Sequence, residues 1–579
     1  MLLKHLADHA AQRPDLPPPY YRMRPVPWAL QLDRSGNPTA DGLASLKDSA
    51  HHPSGRPMPA PYVYRSGRKP PPTLLVDTLQ FVFAMPKDES DKELEEANRR
   101  NDAYIELLQR WRDSADGDWR ADAVLSFFLN EKHLNVKLPE DAKPSDTVAI
   151  RISGEDGYVH MLGSAKECWA DVVRERKSAG GTRGVCLSCG KDGDLLDTIP
   201  EPIKGGAIPS SSGRTRDAQL VSINKPAQGR GGVIQLGNTP ICGRCGGQAM
   251  SVLNVLLADP DHRFRGSDAV TVWWLREEQE LPLVPALDSV DAADVKAIYD
   301  AADKANEDAD PDGPNTFYAV TLAANQSRAV LKDWVDVPLP EALTAVTAWF
   351  DQHRLLDGWK GEKRVLPLWQ LARACGRWHK EKKQYIDGSA PKAAQSALLR
   401  SALTRVPVPV WVLPHLLQRI RADARVDLPR AALLQLILFR PPFEETDMTI
   451  EDDAAVVWGR AFAVLESIQR KAIPDVNTTI GDRYLNNAMT RPQATLSRLF
   501  PLAKSHLGKL KRSAKPSDKT AGYALESKLK GLLARFPDGG PPERFDLRDQ
   551  AAFVVGYSRQ GNEDTAEARA RAAARQTND

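Results

Sequence analysis

The chain has 579 residues, too many for one enlarged core, so several domains are expected. At 42% hydrophobic and 27% charged residues it has the composition of an ordinary folded protein, which excludes the disordered, collagen-like and disulfide-framework classes. Lys and Arg total 78 against 76 Asp and Glu; the net +2 carries no whole-chain signature of nucleic-acid binding, so any such surface has to be local.

The opening MLLKHLADHAAQ reaches Asp8 and His9 before a long apolar run develops, so it lacks the middle of a secretory signal, and a cytoplasmic protein is expected. The first seventy residues are rich in proline, which disfavours long helices there. PVPWALQLD and PYVYRSGR read as short strands, with Asp33 to Asn37 as a polar turn. From about Lys92 to Trp111, Leu94, Ala97, Tyr104, Leu107, Leu108 and Trp111 form the apolar stripe of a charged helix. VAIRISG and GYVHML then read as strands, and Ala249–Leu256 and Val270–Leu275 as ordered elements beyond a glycine-rich stretch.

Residues 288–312 hold nine acids against Lys296 and Lys304 and read as a solvated connector, or as an acidic face that repels nucleic acid or docks a basic partner. DADPDG lacks the later acidic ligand of a calcium loop. FYAVTLAANQSRAVLKDW, residues 317–334, predicts strand, turn and strand. Helices dominate from Leu339. Leu433–Phe439 is too short to cross a bilayer and reads as a buried helix. The last 130 residues carry apolar positions at helical spacing between Pro474, Pro516 and Pro537, which predicts a bundle with Trp458, Phe462 and Tyr484 in its core or at a partner contact. The expected fold is α+β: a mixed strand-rich region over 1–335 with a zinc-ribbon-like insertion and basic loop at 182–250, a helical connector over 336–447, and a carboxy-terminal helical bundle over 448–579.

Cys186 and Cys189, then Cys242 and Cys245, form two C-x-x-C pairs separated by 52 residues. They match the two knuckles of a structural zinc ribbon, a closed shell with no open position for catalytic water; the long separation leaves reduced structural cysteines as the alternative. Nearby glycines would help the chain turn around sulfur. Cys168 and Cys375 stand alone in helical contexts and read as packed, inert thiols. No phosphate loop and no HExxH occurs, so the residues give catalysis no support.

Lys204, Ser211, Ser212, Gly213, Arg214, Arg216 and Gln219, followed after a short VSI strand by Asn224 and Lys225, combine flexible residues with bases, hydroxyls and amides. Such a set can hold phosphates and read base edges; a solvated surface loop is the alternative. Arg65, Arg68 and Lys69 lie beside Tyr62 and Tyr64 and suit nonspecific strand contact or an ordinary strand end. Residues 498–535 hold ten Lys or Arg against two acids; Lys504, Lys509, Lys511, Arg512, Lys515 and Lys519 form their strongest run, suited to phosphate attraction without sequence reading.

YYRMRPVPWALQLDRSGN, CLSCG with the following IKGG and SSGRTRDAQLVSIN, FYAVTLAANQSRAVLKDW, and NTTIGDRYLNNAMTRPQATLSRLFPLAKSHLGKL together resemble the large subunit of the type I-C CRISPR Cascade surveillance complex. The resemblance runs over nearly the whole chain, in order. It implies a nonenzymatic subunit of an RNA-guided assembly that reads a short protospacer-adjacent motif on duplex DNA, helps open it and recruits a helicase-nuclease. It implies as partners the CRISPR RNA complex, target double-stranded DNA, the backbone and processing subunits of Cascade, and a small subunit translated separately from the carboxy-terminal region; no membrane partner is expected. The resemblance carries DNA contact to Lys204, Ser211, Ser212, Gly213, Gln219 and Asn224, whereas Arg214 and Arg216 rest on charge. A start near Met448 would give a 132-residue product, and one at Met489 a 91-residue product. The other classes are a zinc-stabilised protein scaffold without DNA reading and a metal-dependent nuclease.

Overall fold

In the computed structural model, which describes residues 2–39, 42–48, 51–65, 69–177, 182–209, 216–307, 314–325, 327–440, 450–536 and 540–576, the chain forms two compact units. The first holds residues 1–259 with 322–330; the second holds 260–321 and 331–579.

In the first unit the order is α1 (Leu2–Ala11), β1 (Tyr21–Val26), β2 (Trp28–Leu32), β3 (Ala44–Ser45), β4 (Arg56–Pro61), β5 (Val76–Thr78), α2 (Leu79–Val82), α3 (Asp91–Ser114), α4 (Trp119–Leu129), β6 (Thr147–Ile152), α5 (Gly163–Lys177), β7 (Arg183–Val185), β8 (Asp192–Asp194) and α6 (Gly243–Ala258). Prolines decide how the opening strands pair. β1 runs antiparallel to β4 with Pro25 opposite Pro57, a pair that has no N–H to exchange, so the ladder bonds fall to the alternate positions. The sheet order β3-β2-β6-β5 puts the apolar runs of β2 and β6 side by side and parallel, Trp28 opposite Val148 and Leu32 opposite Ile152. Helix α3 begins at Ser90, whose hydroxyl accepts from the Glu93 N–H at 3.4 Å. Its stripe buries Tyr104, Leu108 and Trp111 in a core shared with Phe127, Phe128 and Trp169, although Leu94 stays exposed.

Four expectations change here, the first being the strand read at PYVYRSGR: β4 ends at Pro61, residues 62–65 lie outside any strand, and residues 66–68 lie outside the described residues. Helix α1 forms ahead of the prolines, burying Leu6, Ala7 and Ala10. GYVHML is a single 3-10 turn at Val159–Met161, not a strand. VSI, residues 221–223, lies outside any strand.

The second unit contains β9 (Arg263–Arg265), β10 (Val270–Leu275), α7 (Leu283–Ser289), α8 (Ala292–Glu307), β11 (Thr316–Asn325), β12 (Arg328–Pro338), α9 (Leu339–His353), β13 (Leu355–Asp357), β14 (Glu362–Arg364), α10 (Leu368–Ala374), β15 (Trp378–His379), β16 (Gln384–Tyr385), α11 (Ala394–Thr404), α12 (Val412–Asp423) and α13 (Leu428–Phe439), and then the bundle α14 (Ala454–Ala472), α15 (Ile480–Thr490), α16 (Pro492–Lys511), α17 (Pro516–Leu533) and α18 (Leu547–Gln576). Strands order β12-β11-β10-β9, so the expected strand-turn-strand of residues 317–334 is present, with its β11–β12 tip counted in the first unit. Within the acidic stretch, residues 292–307 form α8 instead of a connector, with Ile298 and Ala302 buried and Asp300 and Asp303 exposed; DADPDG, residues 308–313, lies outside the described residues. α13 buries Leu433, Leu434 and Leu436, as its apolar run predicts, and Trp458 and Phe462 are core residues of the bundle. Two glycines let α14 and α18 meet at backbone distance. A Cβ on Gly459 would lie 2.1 Å from the Phe553 carbonyl oxygen, and one on Gly556 2.2 Å from that of Val456.

Candidate metal centre and nucleic-acid interface

The first cysteine pair sits on a turn whose geometry is set by backbone bonds. The Gly190 N–H donates to the Cys186 carbonyl at 2.9 Å, with Gly190 at φ +71°, and the Cys186 N–H donates to the Lys191 carbonyl at 3.0 Å. The second pair starts a helix: Cys242 is the residue before α6, and Cys245 lies in its first turn. Backbone bonds tie the two pairs together, from the Leu187 N–H to Pro240 at 2.9 Å and from the Leu196 N–H to Ile241 at 2.9 Å. All four sulfurs lie within 4.8 Å of one another, with Cys189 and Cys242 at 4.0 Å. A tetrahedral zinc–thiolate shell needs sulfur–sulfur edges of about 3.8 Å, given zinc–sulfur bonds near 2.3 Å.

The electrostatics also suit a cation. Burial raises the Cys186 thiol, but the N–H groups of Cys189, Cys242 and Ser188 pull it down to about 7. Burial raises Cys242 and Cys245 as well, and the charge of a Cys186 thiolate adds to both, so four thiolates gathered this closely call for positive charge among them. The donor set and spacing fit a structural zinc ion held by Cys186, Cys189, Cys242 and Cys245. The glycines act differently from the sequence expectation. Gly190 turns the chain, whereas Gly243, Gly246 and Gly247 are helical and admit neighbours: a Cβ on Gly243 would lie 2.2 Å from the Tyr20 hydroxyl, and one on Gly246 2.8 Å from Leu196 Cδ1.

The basic loop is anchored at two feet. Ile203 and Ala218 exchange both backbone hydrogen bonds, at 2.8 and 2.9 Å. The exposed Lys204 follows the first foot, its N–H donating to Asn254 Oδ1 on α6 at 3.1 Å, and the Gly205 N–H donates to Asp217 Oδ1 at 2.7 Å. Asn254 Nδ2 donates to Glu201 Oε1 at 2.9 Å and to the Pro202 carbonyl at 3.1 Å. Glu201 is buried; desolvation pushes its carboxyl up to about 8 against the pull of Arg22, whose Nε is 3.4 Å away. Beyond the second foot, Gln219 pairs with the β11–β12 tip through bonds of 2.9 Å to Ser327 and from Ala329. Arg216, Asn224 and Lys225 are exposed, and Asn224 Oδ1 accepts from Gln235 Nε2 at 3.2 Å. Ser211, Ser212, Gly213 and Arg214 lie outside the described residues.

A family model described as CRISPR-associated protein (Cas_Csd1) matches residues 3–564. The chain belongs to this family, the large subunit of type I-C Cascade. Comparison with curated proteins finds no match. As a Cascade large subunit the chain is a nonenzymatic DNA-recognition and scaffold protein, with a four-cysteine cluster suited to structural zinc. Among its described residues no helix is long and apolar enough to cross a membrane.

The remaining basic residues of this large subunit divide into two groups. Arg65 is held inside the fold: it pairs with the buried Asp77 at 2.8 Å, donates to Thr73 Oγ1 at 2.7 Å and lies over the Phe81 ring. Lys69 is exposed and Arg68 lies outside the described residues. Lys504 and Lys509 on α16, Lys519 on α17, and Arg512 and Lys515 between the two helices are exposed. Lys509 donates to the Ala472 carbonyl at 2.8 Å, and Lys511 pairs with Glu526. Cys168 and Cys375 are buried, and burial raises both thiols, Cys375 to about 12. Glu201, Asp217, Asn254 and Arg22 were missed from sequence; Asn254 and Glu201 are 53 residues apart, and nothing local marks either one.

Proposed function

We propose that this subunit reads a short motif flanking the target on duplex DNA through residues 204–225, assists opening of the duplex, and recruits a helicase-nuclease once the guide RNA has paired. The observation that carries the reading is the exposed Lys204 on a backbone held by Asn254 and Asp217, because a phosphate or base contact gains most from a donor whose main chain is already fixed. Lys204, Ser211, Ser212, Gly213, Arg214, Arg216, Gln219, Asn224 and Lys225 are the DNA-contacting set. Arg68, Lys69, Lys504, Lys509, Lys511, Arg512, Lys515 and Lys519 attract a displaced strand without reading it. Arg65 leaves that set, since its guanidinium is engaged with Asp77.

The partners in this reading are the guide-RNA complex with its backbone and processing subunits, in the cytoplasm, and a small subunit equivalent to residues 448–579. Met448 lies outside the described residues. A start there keeps α14 whole, whereas Met489 lies in α15, so a start at that residue omits α14 and its contact with α18.

The test is duplex binding by the assembled complex over a salt series. Lys204→Ala and Gln219→Ala should lower affinity for the motif-bearing duplex, a base-reading contact being worth about 1–3 kcal/mol, and Lys204→Ala should also reduce the salt slope by about one if it holds a phosphate. Intact assembly with unchanged DNA engagement would favour the scaffold reading.

A further inference from the structure

Asn254 uses both of its amide hydrogens and its side-chain oxygen. Its carbonyl oxygen accepts from the Lys204 N–H, and its amide donates to Glu201 and to the Pro202 carbonyl. Those bonds close on the first foot of the basic loop, while Asp217 joins the second foot to it through Gly205. Asn254 stands on α6 eleven residues beyond Gly243, about 16 Å along the helix from the cysteine knuckle. The opening of α6 is fixed by Gly243 and Gly247 against Tyr20 and by the sulfurs at Cys242 and Cys245. The helix therefore carries a rigid reference point to the place where Lys204 leaves the fold.

We propose that Asn254 is a positioning residue for DNA recognition, locking the main chain at Lys204 to α6, with Glu201 orienting its amide. This rests on the reading that Lys204 contacts DNA. Without Asn254 the foot keeps the Ile203–Ala218 pair before Lys204 and the Gly205–Asp217 bond after it, but the Lys204 N–H itself loses its anchor, and the added play weakens a directional contact more than simple attraction of phosphates. Asp in place of Asn254 keeps the acceptor for Lys204 but sets an oxygen against the Pro202 carbonyl. Gln in place of Glu201 keeps an oxygen for the Asn254 amide.

The experiment uses the full complex with guide RNA and measures affinity for duplexes with the flanking motif and with a scrambled flank. Hydrogen exchange is followed in peptides covering residues 201–209. Asn254→Ala should reduce the ratio of the two affinities roughly tenfold, leave binding to the scrambled duplex unchanged, and speed exchange at Lys204 and Gly205. Asn254→Asp should do the same, and serves if the Ala variant assembles poorly. Glu201→Ala should follow them, while Glu201→Gln should keep the wild-type ratio. Full discrimination in both Asn254 variants, with Lys204→Ala losing it, overturns the positioning role and leaves the recognition reading standing. Full discrimination in Lys204→Ala overturns that reading and the positioning role with it. Unchanged exchange at Lys204 in the Asn254 variants also overturns the clamp.

Discussion

Placing alanine at Gly459 or Gly556 sets two well-understood effects against each other. Helix propensity alone predicts that Ala in a helix interior stabilises by about 1 kcal/mol relative to Gly. The α14–α18 crossing reverses that sign. The new Cβ would lie 2.1 Å from the Phe553 oxygen in one case and 2.2 Å from the Val456 oxygen in the other. An ordinary carbon–oxygen contact needs about 3.3 Å. The helices must therefore part by about 1 Å, and because the obstructing atom is backbone, no rotamer relieves it. A gap of that size forfeits a quarter to a half of each dispersion contact across the seam, where Trp458, Phe462 and Phe553 pack. Overpacking at the upper end of its usual range, about 3 kcal/mol, less the propensity gain, leaves about 2 kcal/mol of destabilisation per site. Both changes force the same separation, so the double variant should fall short of the sum by about 1 kcal/mol. Native-state hydrogen exchange of peptides from α14 and α18 reads the opening free energy locally. Gly531→Ala on α17, where a Cβ meets nothing within 4 Å, is the control and should be neutral or stabilising. If Gly459→Ala and Gly556→Ala raise protection as the control does, the close approach is refuted.

The folded, reduced protein should carry one zinc per chain, measured by native mass spectrometry and metal analysis. Chelation or Cys245→Ser should release the ion and speed exchange around residues 183–196 and 240–247 while leaving α14 to α18 unchanged. Arg65→Ala should act on stability instead of DNA affinity. It strips the ion-pair partner from the buried Asp77, which keeps its bonds to the Thr73 and Thr78 N–H groups and the more distant charges of Arg24 and Arg176, and should cost about 3 kcal/mol by thermal or denaturant unfolding, with duplex affinity of the assembled protein retained. Glu201 gives a pH signature. Its carboxyl is raised from 4.5 to about 8, so the neutral form contributes stability that is complete below about pH 4.5 and lost as pH rises through about 8. The full span is on the order of 5 kcal/mol, with Arg22, Asp217 and Tyr62 as the facing charged and titratable groups. Glu201→Gln should flatten that dependence in exchange of residues 201–209; an unchanged slope would remove Glu201 from its origin.

What could be read from the sequence followed from how locally each signal was encoded. The cysteine pairs carry their own spacing, α3 its 3.6-residue stripe, and the β11–β12 hairpin two apolar runs about a short turn, so each was legible without its neighbours. α8 was not, because its acids obscured the helical spacing of Val295, Ile298, Tyr299 and Ala302, which pack on the core of the second unit. Gly243 and Gly247 looked like turn residues beside cysteine, but only the arrival of Tyr20 explains them. Arg65 looked like part of a basic patch, and its use was decided by Asp77, twelve residues away. The candidate interface was legible in its exposed members, while its anchors Glu201 and Asn254 depend on where α6 lies, which no local pattern states.

The itinerary of the chain has a practical outcome for dissecting the protein. Residues 322–330 belong with the first unit, although sixty-two residues of the second unit, 260–321, are threaded before them. A fragment ending at Asp259 would look complete by length, yet it would lack Ser327 and Ala329, and the backbone of Gln219 would lose both bonds that fix it beyond the second foot of the basic loop. Complementation with a peptide spanning the hairpin should restore that edge. Truncation at the apparent boundary therefore removes part of what anchors the basic loop as well as the helical remainder.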